Sequence, residues 1–580
     1  MLRILKFLKP YLPLLLILIV FTSLQVWVNL QLPDYLARII NDGVVKEDQN
    51  QIMTLGLSML GIALVGGICT VIAGFLSSRI GMGFTKDLRS ALFTKIESFS
   101  LSEFNKYSTS SLITRSTNDV QQLQTVVIMI LRMVLAAPIT AVIAIGKAYN
   151  TAPSMTWILV VAVIALLSVI GAIFYLAVPK FVLLQKLIDR LNLVVRESLN
   201  GIRVIRAFNN QKIEEKKLEV VNSDITRTTL FVNRVISLLQ PSMFLIMNLA
   251  AIGIIWFGAH LIQTNDLGIG NMLAFMQYSL QVIIAFLMIS IVFIMVPRAK
   301  VSVTRIAEVL STKLIVTDPE KETKIEESNK GKVEFRNVNF GYSHADEKVL
   351  ENISFTAEAG KITAFIGSTG SGKSTLISLI PRFYDVTEGE ILVDDVDIRK
   401  LKQEELHNLI GYVPQKAVLF SGTIKDNIKY GSEGATDEQV IEATNIAQAT
   451  DFINSLEKKF DTLVSQDGTN FSGGQKQRLA ISRAIVKNPQ IFIFDDSFSA
   501  LDFKTDAALR HALFEKAKGK TLLIVAQRIN TIIDADQIVV LDEGKVVGIG
   551  KHKDLMKSCG VYKEIVDSQL SEKEISNSLK

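Results

Sequence analysis

The first half of the chain contains six long apolar stretches, and these restrict the fold more than any other feature of the sequence. They cover residues 11–32, 52–77, 126–148, 155–178, 231–262 and 271–296. A helix needs roughly 20 apolar residues to cross the hydrocarbon core of a bilayer. Six buried core helices in succession would be unusual in a soluble protein. The sequence therefore predicts an N-terminal all-α membrane domain with six transmembrane helices.

Lysine and arginine in the connecting segments predict the orientation of these helices, because cytoplasmic loops carry an excess of both. Basic residues precede the first stretch and follow the second and fourth, whereas the connections DGVVKEDQN, NTAPS and QTNDLGIG are short or acidic and are expected outside. Helical periodicity continues through KDLRSALFTKIESF and LNLVVRESLNGIRVIRAF, so we expect the helices to extend into the cytoplasm. A cleaved signal peptide also begins with basic residues, but the first apolar run is long and no clear small-residue cleavage site follows it. This favours an uncleaved first span.

Composition excludes several classes of protein. Hydrophobic residues make up 49% of the chain, and the net charge of +5 is too small to indicate a nucleic-acid footprint. The two cysteines, Cys69 and Cys559, offer neither a disulfide framework nor a thiolate metal site. We therefore expect membrane lipid, and no nucleic acid, among the partners.

Charged residues concentrate after residue 297, which indicates a second domain that lies in water rather than in the bilayer. A helical pattern continues to residue 310 and is followed by the polar segment TKLIVTDPEKETKIEESNKGK. The predicted organisation is a transmembrane domain over 1–310, a linker over 311–332, an α/β domain over 333–570 and a polar tail over 571–580.

The second domain carries the P-loop pattern GxxxxGK[ST]. In KITAFIGSTGSGKST, residues 361–375, an apolar strand leads into a glycine-rich loop and a helical pattern follows. Backbone N–H groups of such a loop bind phosphate oxygens, Lys373 should reach the β and γ phosphates, and Ser374 should ligate Mg²⁺. The predicted cofactors are therefore ATP and Mg²⁺. The predicted phosphate-binding residues are Gly367, Ser368, Thr369, Gly370, Ser371, Gly372, Lys373, Ser374 and Thr375.

The segment IFIFDDSFSALD, residues 491–502, predicts a second part of the same site. Four apolar residues run into an acidic pair, as in a buried strand that delivers a carboxylate to a phosphate-bound metal. We expect Asp495 to face the metal ion, usually through water. A solvated turn would explain the acidic pair in isolation, but not beside a P-loop.

The segment FSGGQKQRLAISRA, residues 471–484, resembles the signature motif of the ATP-binding cassette (ABC) family. Other motifs of the family occur in order around it. Tyr342 in FGYS resembles the adenine-stacking aromatic residue, Gln415 in YVPQ resembles the Q-loop glutamine, and SALD at 499–502 resembles the D-loop. With the six spans, the resemblance covers the whole chain. It is that of an exporter-type half-transporter, similar to bacterial multidrug half-transporters.

The resemblance implies a dimer in which each ATP lies between the P-loop of one subunit and the signature of the other. It places the signature on a helical subdomain of an α/β P-loop cassette, and it makes Gln415 a metal ligand with Ser374 and Asp495. The tips of the two long cytoplasmic connections would be coupling helices that rest on the cassettes. The protein would be multi-pass in the cytoplasmic membrane, with its cassette in the cytoplasm. The signature residues are Ser472, Gly473, Gly474 and Gln475.

Two positions depart from the family pattern at the predicted catalytic centre. The family has a catalytic glutamate directly after the strand aspartate, and this chain has Asp496. The family has a histidine after the strand TLLIVA, and this chain has Gln527. Gln466 also replaces a glutamate that is usual in exporters. The predicted catalytic residues are thus Asp496 and Gln527, both degenerate, together with Gln415. This pattern resembles one half of a heterodimeric exporter that binds ATP at its own P-loop and hydrolyses it poorly.

The sequence does not identify the substrate. Several methionine and phenylalanine residues of spans five and six are compatible with an adaptable apolar cavity, or with ordinary helix packing: Met243, Phe244, Met247, Met272, Phe275, Met276 and Met288. Arg132 in span three should face the bundle or a water-filled cavity, or else snorkel to an interface. The leading prediction is ATP-driven export of hydrophobic or amphipathic compounds with a different partner chain. A lipid or peptide exporter, and a regulatory subunit gated by ATP, remain alternatives.

Overall fold

The structure, a computed structural model, describes residue 4 and residues 6–321, 323, 331–342 and 347–579. For residues 291–298 and 577 it describes the backbone only. The predicted linker therefore lies partly outside the described residues. The chain divides into two compact units. The helical unit comprises Met1–Lys95 and Ser110–Ser311, and the α/β unit comprises Ile96–Thr109 and Thr312–Lys580. A short segment between the second and third spans thus belongs to the α/β unit.

The helical unit confirms the six predicted spans. Within the described residues, the helical segments long and apolar enough to cross a membrane are Lys6–Val44, Gln49–Glu97, Thr109–Thr151, Pro153–Asn200, Gln211–Gln263 and Ile269–Ser290. The helix Gln49–Glu97 has 49 residues, which corresponds to about 74 Å at ~1.5 Å per residue, against a hydrocarbon core of about 30 Å. Helices of this length continue well beyond a bilayer, as the periodicity predicts.

The α-helices of this N-terminal part share the apolar composition of the spans or connect them. Their bounds are Leu12–Asn29, Leu32–Arg38, Gln49–Glu97, Leu101–Lys106, Thr109–Thr114, Val120–Met129, Leu135–Thr151, Thr156–Asn200, Ile202–Ala207, Gln211–Ser237, Leu239–Gln263 and Ile269–Ser311. Span three is interrupted by two π-helical turns, Arg115–Asp119 and Ile130–Val134. Such turns occur frequently at functional sites, and Arg132 lies in the second of them.

Small residues and one polar cluster hold spans one, three and six together. Alanines at intervals of three or four residues on span three are buried, and small side chains let transmembrane helices approach closely. Lys147 of span three donates hydrogen bonds to the Asp34 carboxylate and, at 3.0 Å, to Gln31 Oε1. The Tyr278 hydroxyl of span six donates to the same carboxylate. We call Gln31, Asp34, Lys147 and Tyr278 the outer polar cluster.

The α/β unit is built on two main β-sheets. The strands β1 to β12 are Val333–Phe340, Leu350–Ala357, Ile362–Gly367, Glu388–Val393, Val396–Asp397, Ile410–Val413, Gly422–Thr423, Leu463–Val464, Ile491–Asp495, Thr521–Val525, Gln537–Asp542 and Lys545–Gly550. A six-stranded sheet has the order β12-β11-β3-β10-β9-β6, and a four-stranded sheet has the order β2-β1-β4-β5. Strands β3, β10, β9 and β6 run parallel, so their carboxyl ends meet at one edge, where ligands of such sheets bind.

Burial explains the sequence of the central strands. All five residues of β9, IFIFD, are buried, which is the reason that its apolar residues do not alternate with polar ones. A separate apolar core spans residues 419–479, with Ile424, Ile428 and Phe471 among its members. This core forms the helical subdomain that carries the signature. The predicted fold class is therefore confirmed in both halves of the chain.

The helices of the α/β unit surround these sheets. Their bounds are Lys373–Leu379, Gln403–Leu409, Ile424–Lys429, Asp437–Ile446, Thr450–Asn454, Gly473–Val486, Phe503–Lys516, Ile529–Ile532, His552–Ser558, Gly560–Gln569 and Glu572–Ser578. The last of these falls in the segment predicted as a polar tail. Ser571 and Glu574 form a capping box at its start, and His552 is hydrogen-bonded to Ser578 near its end at 3.0 Å. Local capping and one long-range bond therefore give this polar segment a helical structure.

Candidate nucleotide-binding site

The glycines of the P-loop are required by its backbone geometry. Gly370 and Gly372 have φ angles of +87° and +93°, which side chains other than glycine rarely adopt. At Gly367 a Cβ atom would lie 2.0 Å from the carbonyl oxygen of Leu541 on the neighbouring strand. The loop can therefore wrap closely around a phosphate group at the carboxyl end of β3, ahead of the helix Lys373–Leu379.

Lys373 is folded onto its own loop. Its ammonium group donates hydrogen bonds to the carbonyl oxygens of Gly367 at 2.9 Å and Ser368 at 2.6 Å. Burial lowers the pKa of this ammonium group, and the carboxylates of Asp496 and Asp495 act in the opposite direction. The partners described for this ammonium group are neutral carbonyl and hydroxyl oxygens, and a bound phosphate would supply an anion in direct contact with it, which fits the predicted role of Lys373.

The two predicted metal ligands of the P-loop and β9 are in contact. The Ser374 hydroxyl donates to Asp495 Oδ1 at 2.8 Å. Burial raises the pKa of the Asp495 carboxyl, while the bond from Ser374 lowers it. A hydroxyl and a carboxylate oxygen at this distance, beside a phosphate-binding loop, match the oxygen donors that Mg²⁺ prefers. Gln415 is not part of this pair, since its side chain contacts Asp496 instead.

Asp496 lies between the other two predicted catalytic residues. Its Oδ2 atom accepts hydrogen bonds from Gln415 Nε2 at 3.2 Å and from Gln527 Nε2 at 2.9 Å. Its backbone is in the left-handed region, with φ at +46°. Burial raises the pKa of its carboxyl, and the Gln415 bond partly offsets this effect. The structure therefore brings Gln415, Asp496 and Gln527 together, with the carboxylate held by two amide groups.

Tyr342 presents an aromatic surface near the P-loop. Its hydroxyl lies 2.9 Å from Thr375 Oγ1, and the residue is 38% exposed, so part of its ring remains accessible to a base. Two further rings contact it edge to face: Phe340 at 5.0 Å and Tyr384 at 5.4 Å between centroids. Tyr384 is not among the residues predicted for this site. The sequence signal for it is an aromatic residue in RFYD, shortly after the P-loop helix.

The signature residues form a preorganised helix start. Ser472 caps the helix Gly473–Val486, and its side chain and that of Gln475 form a reciprocal capping box. Among the described residues, no hydrogen bond joins Ser472–Gln475 to the P-loop of the same chain. Farther along the helix, Gln477 donates to the carbonyl oxygen of Pro414 at 3.3 Å, beside Gln415.

Comparison with known proteins agrees with this geometry. Residues 15–286 match the model of the ABC transporter transmembrane region, and residues 350–499 match the ABC transporter model. An uncharacterized ABC transporter ATP-binding protein of Mycobacterium tuberculosis is 40% identical over 97% of both chains. The chain is a member of the ABC transporter family.

Other relatives identify this ABC transporter as an exporter-type half-transporter. The protein YfiB of Bacillus subtilis is 36% identical over 98% of both chains, and the ATP-dependent lipid A-core flippase of Syntrophus aciditrophicus is 30% identical over 99% of this chain and 95% of its own. The solved structure of a bacterial Atm1-family ABC exporter with ATP bound matches with a TM-score of 0.81 and 26% identity, over 97% of this chain and 99% of that chain. The ABC transporter is thus a multi-pass membrane protein with a cytoplasmic nucleotide-binding domain.

Proposed function

We propose that this chain is one half of a heterodimeric exporter that moves hydrophobic or amphipathic compounds across the cytoplasmic membrane. Its own P-loop binds Mg²⁺ and ATP through the residues predicted above, but it hydrolyses the nucleotide slowly. The productive site uses the P-loop of a different partner chain, completed by the signature residues Ser472–Gln475 of this one. The bonds to the Asp496 carboxylate are the observation that carries this proposal.

A general base must reach the proton of the attacking water. Asp496 has a side chain one methylene shorter than the glutamate of the family, and its Oδ2 atom already accepts two amide donors. A displacement of about 1 Å can cost on the order of 100-fold in rate. Gln527 donates an amide to Asp496, so its side chain is engaged with the carboxylate rather than extended toward a phosphate. Both contacts support slow hydrolysis at this site.

The intact signature supports a role for this chain at a second, composite site. The capping box of Ser472 and Gln475 uses the backbone N–H groups of those two residues. The N–H groups of Gly473 and Gly474 are left at the helix start, where such groups have no partner within the helix and bind anions. A phosphate held by a partner's P-loop is the anion that this surface would bind.

Most of the methionine and phenylalanine residues considered for a substrate cavity are packed within the helical unit instead. Met243 and Phe275 are buried in the core of the helical unit, and Met247, Met272 and Met276 pack against that core. Met288 packs against a smaller cluster with Ala137 and Ala285, while Phe244 is exposed. The proposed substrate class therefore rests on the exporter family and on the apolar surroundings of the spans.

Arg132 favours a second candidate function, the export of an anionic lipid. Its side chain is exposed, and its guanidinium lies over Gly74 of span two, where a Cβ atom would be 2.6 Å from Nη2. Among the described residues, no hydrogen bond or ion pair is found for it. A charge within a transmembrane segment often marks a substrate path. A carboxylate or phosphate on an amphipathic substrate would pair with this guanidinium.

We expect Arg132→Gln to separate these two candidates. In vesicles reconstituted with this chain and its partner, an anionic amphiphile should stimulate ATP hydrolysis about tenfold less in this variant if Arg132 binds its charge, because a charge-assisted hydrogen bond is lost. Arg132→Lys keeps the charge and is the matched control. An unchanged response to the anionic amphiphile, with continued export of a neutral dye, would favour the hydrophobic-compound exporter.

The proposed function predicts little ATP hydrolysis by the chain when it is purified alone, since every site it can build contains Asp496 and Gln527. Purification of the tagged chain from its native membrane should yield a second half-transporter, and hydrolysis should appear when the two are co-expressed. ATP-dependent exclusion of a dye from cells would support a pump, and ionic conductance in membrane patches would support a regulatory subunit instead. Rapid hydrolysis by a homodimer would rule out the heterodimer proposal.

A further inference from the structure

Two side chains connect the ring of Tyr342 to the segment between spans two and three. The ring of Tyr384 stands nearly perpendicular to that of Tyr342, with an interplanar angle of 84°. On its other side, the Tyr384 hydroxyl accepts a hydrogen bond from Asn105 Nδ2 at 2.9 Å. Asn105 and Tyr384 are 279 residues apart in the chain, but both belong to the α/β unit.

Tyr342 has few ways to change its orientation. The rings of Phe340 and Tyr384 contact it edge to face, and its hydroxyl is hydrogen-bonded to Thr375 of the P-loop. Edge-to-face contacts depend on the angle between rings, so rotation of one ring weakens both. The orientation of the Tyr342 ring, on which a base would stack, therefore depends on the position of the Tyr384 ring.

Tyr384 is itself held in one position. Its side chain is 7% exposed and also contacts Phe340, at 5.5 Å between ring centroids. Burial raises the pKa of its hydroxyl. The bond from Asn105 is the polar contact described for this hydroxyl, and it reaches Tyr384 from a distant part of the chain.

Asn105 is held by the short helix Leu101–Lys106, which is anchored at its start. Ser100 and Glu103 form a capping box, and the Glu103 side chain is buried, with 3% exposure. The second oxygen of this carboxylate accepts a hydrogen bond from the backbone N–H of Ile315, just after the last membrane helix. The helix that carries Asn105 is thus held within the α/β unit by its bonds to Tyr384 and to the backbone at Ile315.

We propose that Asn105 and Tyr384 are positioning residues for the adenine-stacking ring of Tyr342, so that the affinity of this P-loop site for ATP depends on the segment between spans two and three. The proposal rests on the nucleotide site proposed above. Because coupling between two sites is reciprocal, ATP bound at Tyr342 would also strengthen the hold of Tyr384 on Asn105. Neither residue touches the phosphates in this scheme, so the effect should be confined to the base.

The test is a double-mutant cycle with Asn105→Ala and Tyr384→Phe. The full-length chain in lipid nanodiscs is titrated with a fluorescent ATP analogue labelled on the ribose, which is then displaced by ATP or by inorganic tripolyphosphate. Loss of one neutral hydrogen bond changes an equilibrium constant by about 2- to 10-fold. We expect each variant to weaken ATP binding by that factor, and the double variant to be no weaker than either one. Tripolyphosphate binding should not change.

Matched controls separate positioning from general damage. Ser102→Ala changes the same short helix, and Tyr562→Phe removes another buried tyrosine hydroxyl, which contacts His552 at 2.8 Å. Both should bind ATP normally. Additive effects of Asn105→Ala and Tyr384→Phe, or equal losses for ATP and tripolyphosphate, would overturn the proposal. Tyr342→Ala is the reference variant. If it weakens ATP binding while Asn105→Ala and Tyr384→Phe do not, the proposed positioning role of Asn105 and Tyr384 is wrong, but the proposed nucleotide site remains supported. If Tyr342→Ala has no effect, the adenine assignment fails as well.

Discussion

Replacing Gly474 with aspartate is expected to remove nearly all ATP hydrolysis and transport by the complex of this chain with its partner. Gly474 is the second residue of the signature helix, and a Cβ atom there would lie 3.2 Å from the carbonyl oxygen of Ala500. The added carboxylate would stand where backbone N–H groups are proposed to meet the partner's γ-phosphate. The backbone N–H groups remain in this variant, but the carboxylate would keep the phosphate away from them and would repel it. Loss of contact with one such donor to a developing charge costs about 10²- to 10³-fold in rate.

Two comparisons make this prediction specific. Gly474→Ala adds the Cβ atom without the charge and should be less damaging than Gly474→Asp. Asp496→Asn, assembled with the same wild-type partner, removes a charge from the site already proposed to be slow, so most hydrolysis and dye efflux should remain. All variants are measured at matched expression. If Asp496→Asn abolished turnover while Gly474→Asp left it intact, Asp496 would be a working base and the proposed division between the two sites would be wrong.

The second large effect that we expect is a gain in ATP hydrolysis. Asp496→Glu combined with Gln527→His should raise ATP hydrolysis by the chain purified alone, on the order of 100-fold, because a carboxylate of the family's length and an imidazole return to the catalytic centre. The double substitution would replace the Gln527 donor and lengthen the carboxylate, so both amide hydrogen bonds described for Asp496 would change. The measurement is phosphate release at saturating Mg²⁺ and ATP.

A third substitution controls for contaminating ATPases. Adding Lys373→Ala to the double variant removes the ammonium of the P-loop and should return phosphate release to background. Each single variant should gain less than the pair, since the base and the phosphate contact act on the same nucleotide. No gain from the double variant, in a protein that still binds ATP, would show that slow hydrolysis has a cause other than these two positions.

Local patterns in the sequence were sufficient to predict much of this structure. A transmembrane helix is specified by about 20 consecutive apolar residues, and a P-loop by the spacing of glycines that need unusual backbone angles. Both signals lie within a few tens of residues, and both are found where they were expected, in the six helices and at Gly370 and Gly372. The contact of Ser374 with Asp495 follows from two such motifs at the same edge of one sheet.

The individual residue pairs that join distant segments outside the known motifs were not predicted. Asn105 meets Tyr384 across 279 residues, and neither position carries a periodic or motif-based signal for the other. The family resemblance predicted that the tip of the first long cytoplasmic connection rests on a cassette, and Ile96–Thr109 belongs to the α/β unit. The hydrogen bond from Ile315 to Glu103, which anchors this segment, has no signal in the sequence. The π-helical turns of span three could not be predicted from the spacing of apolar residues either. A π-helical turn adds one residue, which shifts the apolar pattern along the helix but does not interrupt it.

The outer polar cluster has a consequence for how the protein is made. Asp34 and Lys147 are 113 residues apart, and a ribosome adding about 5–20 residues per second needs roughly 6–23 seconds to pass from one to the other. During that interval the first helix carries a carboxylate whose cation has not yet been synthesised. Its charge is neutralised only when the third helix enters beside it, and Tyr278 joins still later. The Asp34–Lys147 pair therefore forms only after the third helix has entered the bundle, and the cluster is complete only when Tyr278 of the sixth helix follows.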